Sequence, residues 1–221
     1  MPEALTEIEV RVLGSLVEKQ LTTPEYYPLT LNALVAACNQ KTNRDPVVSY
    51  DETTVTAALE SLREKNLVYV FYGAGSRTVK YKHMLPSVYE LDPAETAVVA
   101  VLMLRGPQTL GEIKERAHRM HEFTSLGEAQ EVLDKLSARD EPIITRLERQ
   151  PGQKDARYAH LLSGPVDASA ISAASNFQKS PAVAGGGVME RVEQLEKELS
   201  DLRGELAALH ETFSEFRKQF E

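Results

Sequence analysis

Apolar positions along the first 160 residues fall into short runs that recur in one order, and the period of each run predicts its element. Leu5-Thr6-x-x-Glu9, followed by Val12, Leu13 and Leu16, reads as a capped helix. The Thr6 hydroxyl accepts from a free first-turn amide while Glu9 reaches back to the cap, a capping box. Leu91-Asp92-x-x-Glu95, then Val98, Val99 and Leu102, repeats this pattern 86 positions later. Thr30-Leu31-x-x-Leu34 and Thr109-Leu110-x-x-Ile113 predict two short second helices, each with a threonine placed to cap. Val55, Ala58, Leu59 and Leu62 share the spacing of Ala129, Val132, Leu133 and Leu136, which puts one apolar stripe on each third helix. β-type runs follow at 67–72 and 143–147. Glycine turns come next, at Gly73-Ala-Gly75 and Pro151-Gly152, and then strands ending Tyr81-x-His83 and Tyr158-x-His160.

Three helices and a hairpin, twice over, predict a mainly α chain with small β-hairpins: two tandem winged-helix domains, 1–85 and 86–162. Residues 163–187 are small, polar and nearly uncharged and read as a flexible linker. Over 188–221, Val192, Leu195, Leu199, Leu202, Leu206, Leu209, Phe213 and Phe216 alternate in steps of three and four. That is the seam of a coiled coil. With Val192, Leu199, Leu206 and Phe213 at a, a parallel pair matches Arg191 with Glu196, Glu198 with Arg203 and Glu205 with His210 across the chains. The expectation is a parallel homodimer; an antiparallel or trimeric coil, or fold-back onto the preceding domains, is the competing reading.

The loops Thr23-Pro-Glu-Tyr-Tyr-Pro-Leu-Thr30 and Asn39-Gln-Lys-Thr-Asn-Arg-Asp-Pro46, with the Tyr-Gly-Ala-Gly-Ser-Arg77 turn, resemble those of the YceH family of bacterial winged-helix proteins of unknown function. The resemblance covers the whole chain and implies a tandem winged-helix fold in a cytosolic bacterial protein. It implies no substrate, cofactor or catalytic residue.

Charge narrows the functional classes. The 221 residues carry 25 Lys and Arg against 33 Asp and Glu, a net −8 that argues against indiscriminate coating of nucleic acid. The balance is uneven, from −1 over residues 1–85 to −3 over 86–163 and −4 over 164–221. One cysteine, an acidic start and no long apolar run predict a cytoplasmic protein without disulfides or a membrane span.

In a winged helix the third helix and the hairpin decide whether DNA is bound. Residues 66–85 hold Arg77, Lys80 and Lys82 and no acid, so this wing is the expected phosphate contact. Thr53 and Thr54 open the third helix (about 51–66) as groove contacts. Arg44, Arg63 and Lys65 extend the phosphate patch. For the loop at 39–46 two readings stand, a recognition surface or amides and Asp spent on their own backbone. The second domain, with Glu128, Glu131 and Asp134 on its third helix (about 124–138), reads as protein contact or scaffold.

Enzyme readings are weaker. His118 and His121 lack further ligands at metal-site spacing, Cys38 reads as a core residue, and neither glycine cluster is set as a phosphate loop. The expectation is therefore no catalytic residue, metal or cofactor. The partner is duplex DNA or, alternatively, protein partners docked by an adaptor.

Overall fold

A computed structural model describes residues 3–72, 78–149 and 154–166. The glycine turns, Arg77 and the whole predicted coil from Val192 to Phe216 lie outside the described residues.

The first half opens with α1 (Glu7–Thr22), then β1 (Leu29–Thr30), α2 (Leu31–Cys38), α3 (Glu52–Glu64), β2 (Val68–Tyr72) and β3 (Val79–His83). A short α4 (Leu85–Tyr89) leads to the second half: α5 (Pro93–Arg105), β4 (Gln108–Thr109), α6 (Leu110–Ala117), α7 (Leu126–Ser137), β5 (Ile144–Arg146) and β6 (Arg157–His160). Among the described residues the chain is mainly helical with two small antiparallel sheets, ordered β1-β3-β2 and β4-β6-β5. Neither two-residue edge strand was legible in the pattern, because two residues are too few to show a period.

The caps form as the sequence predicts. The Glu9 amide donates to Thr6 Oγ1 at 3.2 Å and the Thr6 amide to Glu9 Oε2 at 2.7 Å. Asp92 with Glu95 repeats the box on α5, and Thr109 with Glu112 builds a third on α6. Thr30 caps α2. The repeat extends to strand register, with Leu29 opposite Tyr81 and Thr30 opposite Lys80 in one sheet, and Gln108 opposite Tyr158 and Thr109 opposite Arg157 in the other.

The first helix of each half is enclosed far beyond the three apolar positions that mark it in the sequence. Glu9 to Glu18 of α1 and Glu95 to Leu104 of α5 are all buried. A helix covered on every side is an interior helix, and these two cover each other: a Cβ built on Gly14 would lie 3.1 Å from both Met103 Cβ and Leu104 Cδ2. Backbone bonds from the Asp45 amide to Leu104 O (2.9 Å) and from the Leu5 amide to Leu162 O (2.8 Å) further tie the halves, and residues 1–168 form one compact unit. Gly14→Val is expected to lower stability by about 2 kcal/mol through overpacking against α5, read from the urea midpoint at unchanged slope.

The charges that α1 carries inside are each answered. Glu9 takes Lys65 Nζ at 2.7 and 2.9 Å; burial pushes its carboxyl up, but the bonds from Lys65, Ser61 and Thr6 leave it below the ordinary range. Arg11 donates to Cys38 O at 3.3 Å. Glu18 takes both Arg44 Nη atoms, at 3.1 and 2.6 Å.

Candidate nucleic-acid interface

Asp51 starts α3 as its N-cap, accepting from the Thr54 amide at 2.8 Å. Bonds from the Thr54 hydroxyl and amide hold the Asp51 carboxyl below its usual range. Val55, Ala58, Leu59 and Leu62 are buried, as the stripe predicts, and this turns Thr53, Glu60, Arg63 and Glu64 outward. Thr53 and Arg63 are therefore exposed, whereas Thr54 is half-buried with its hydroxyl on Asp51.

Two expected phosphate contacts are corrected. Arg44 is buried, and besides Glu18 its guanidinium meets Ala37 O (2.9 and 3.2 Å) and Asn43 O (2.9 Å). With every donor directed inward, Arg44 serves the loop, not a ligand. Lys65 is held by Glu9 against the start of α1 and adds nothing to a surface patch. The loop at 39–46 spends other groups on itself as well: the Asn39 side chain donates to Tyr50 O at 2.7 Å and accepts from the Tyr50 amide at 2.8 Å.

Lys80 and Lys82 keep the arrangement that strand parity predicts. Tyr81 packs against the core, and the two lysines stand opposite Phe71 and Tyr69 on the neighbouring strand. Neither lysine has an ion pair or hydrogen bond among the described residues. Tyr69 and Phe71 are about half exposed. Sequence reading missed them as surface groups because a run of aromatic and β-branched residues looks like core; their parity with the lysines across the ladder was the available signal.

The second sheet shows why Lys80 has no ion pair among the described residues. Arg157 holds the position of Lys80, but its Nη1 donates to Pro107 O at 2.8 Å and Glu112 Oε2 at 3.1 Å. The carboxylate sits three residues after the Thr109 cap; three residues after Thr30 the first half has Ala33. Alanine there removes the internal acceptor, so among the described residues Lys80 lacks the carboxylate that Arg157 has.

Among the described residues no cluster of three or more His, Cys, Asp or Glu is placed to hold a metal, and no helix is long and apolar enough to cross a membrane. His121 lies edge-on to Phe123 with Nε2 3.8 Å from Glu128, and Cys38 is fully buried, which raises its thiol.

Comparison with known proteins places this scaffold in a bacterial family. A family model described as a protein of unknown function, DUF480, matches residues 5–153. The chain is 49% identical over 221 residues to a UPF0502 protein of Pelobacter propionicus, covering 100% of both chains. A UPF0502 protein of Opitutus terrae is 54% identical over 200 residues, covering 90% of this chain and 83% of its own. One of Geotalea uraniireducens is 50% identical over 220 residues, with 98% of each covered. The chain belongs to this DUF480 family, the YceH-like group that its loops resemble.

Proposed function

We propose that the chain is a non-enzymatic tandem winged-helix protein that binds duplex DNA through its first half and pairs through a coiled coil over residues 188–221. The observation that carries this reading is the contrast between Lys80 and Lys82, unpaired on the first sheet, and Arg157, neutralised on the second. Thr53 and Arg63 on the exposed flank of α3 supply the groove and backbone contacts, and Arg77 adds to the wing. Phosphate contacts by such cations release counterions, so affinity falls with salt in proportion to their number.

Fluorescence anisotropy on a random duplex at several sodium chloride concentrations tests the reading. The Lys80→Ala/Lys82→Ala variant is expected to lose affinity and to flatten the log-log salt slope by about two, one for each phosphate contact removed. Light scattering on the same full-length sample is expected to give twice the 24.5 kDa chain mass. An unchanged slope, or no binding at low salt, overturns the DNA reading.

A second reading has its own support. Strand β2 is a sheet edge that presents Tyr69, Phe71 and Tyr72 to solvent, a surface suited to a protein strand or apolar side chains. The adaptor it implies predicts capture of a protein partner that survives the lysine changes and is lost in Tyr69→Ser/Phe71→Ser.

A further inference from the structure

A different group of cations meets where the two halves join. The end of α1, the loop at 39–46, the end of α5 and the end of α6 enclose a cleft of about 40 Å³ lined by Glu18, Asn43, Arg105, Arg116, Arg119 and Met120, among others. Its one lining acid, Glu18, and Glu112, which pairs with Arg116 from outside the lining, are both already engaged. Glu18 is held in a two-pronged pair by Arg44. Glu112, which reaches Arg116 at 3.3 Å, is shared with Arg157 at 3.1 Å. Arg105 donates to the side-chain oxygen of Asn43, a residue with left-handed backbone (φ 59°), and has no ion pair itself among the described residues. Arg119 is exposed with no ion pair or hydrogen bond among them. Burial first, and then the charges of Arg116 and Arg44, hold the Arg105 guanidinium below its ordinary range, with Glu18 and Asp45 opposing. Guanidinium groups are thus crowded around a recess whose carboxylates do not balance them.

We infer that this cleft is a phosphate-binding site in which Arg105, Arg116 and Arg119 hold one tetrahedral oxyanion. Planar guanidinium forks match phosphate oxygens in pairs, and several aimed at one point select a dianionic phosphate over chloride. The volume takes the phosphate head alone, so the rest of the ligand lies outside the recess. A mononucleotide presents such a dianionic head and a nucleic-acid backbone its singly charged diester counterpart, and the two sources separate by experiment. The site uses none of Thr53, Arg63, Lys80 or Lys82 and goes beyond the DNA reading.

Full-length protein titrated calorimetrically with inorganic phosphate and with adenosine 5′-monophosphate, at constant ionic strength in sodium chloride, is expected to show saturable binding near one site per chain. Arg119→Ala, which removes a side chain that supports no other residue, is expected to weaken binding about tenfold or more, the size of a lost charge-assisted bond. Arg105→Gln is expected to do the same. Lys80→Ala/Lys82→Ala is expected to leave phosphate affinity unchanged, so failure of the duplex reading does not touch this one. If duplex displaces the mononucleotide and loses affinity in Arg119→Ala, the phosphate comes from a backbone; if duplex does not compete, it comes from a small ligand. Either result supports the site. Absence of saturable phosphate and mononucleotide binding, or affinities indifferent to both arginine changes, overturns it.

Discussion

Arg44→Ala is expected to destabilise the protein by about 3–5 kcal/mol, the cost of leaving a buried charge without its partner. Among the described residues the Glu18 carboxylate then keeps only Lys19, 3.8 Å away, and Ala37 O loses its two guanidinium donors. The pair is best regarded as a clamp that shapes a loop, since two buried ions repay their desolvation only when both are present. The joint replacement Glu18→Leu/Arg44→Met is accordingly expected to recover most of the loss. Urea unfolding of the three variants decides this: a fall below about 1 kcal/mol in Arg44→Ala, or a double variant no better than the single, shows that the clamp is not what supports the loop.

Acid is expected to unfold the protein through two histidines that the repeat places alike. His83 is fully buried with neither ring nitrogen bonded, and His160 Nδ1 is likewise buried without a partner. Burial, aided by the Lys82 charge, brings His83 down to about 4, and burial alone brings His160 to about 4. An unfolded chain has histidine near 6.5, so between pH 6.5 and 4 it takes up protons that the fold refuses. Stability is therefore present in full above pH 6.5 and declines as pH falls, by about 2 kcal/mol per histidine at pH 5 and about 3 at pH 4. This window lies above that of the paired carboxylates Glu9, Asp92 and Glu112, whose depressed values place their losses at lower pH. His83→Phe keeps an aromatic ring against Tyr27, which His83 meets edge-on at 5.9 Å, and removes the proton site. Its stability is expected to vary about 2 kcal/mol less than wild type between pH 7 and pH 5. An equal slope in variant and wild type refutes the assignment.

What the sequence revealed and what it concealed divide along the range of the interactions. The capping boxes at Thr6 and Asp92 and the stripe of α3 span separations of three to seven residues, so local spacing suffices to recognise them. Arg44 and Lys65 read as surface cations because their partners, Glu18 and Glu9, lie far back in the chain on α1. The burial of Glu9, Arg11 and Glu18 on that helix was illegible for the same reason, since only tertiary partners turn charged groups into interior ones. Lys80 and Lys82 were legible because strand parity is local and no acid occurs in the segment. The arginines of the cleft were not, since Arg105 and Arg119 converge with Asn43 only after α1 and α5 have packed.

That packing has a thermodynamic consequence. Because Gly14 and its neighbours are sealed by Met103 and Leu104, neither repeat owns a complete interior, and a defect introduced in one is felt at once by the other. Heating should therefore melt residues 1–168 in a single calorimetric transition whose van't Hoff and measured enthalpies agree. The two similar halves thus act as one cooperative folding unit, which fixes the β2–β3 ladder and the arginine cleft at a constant separation.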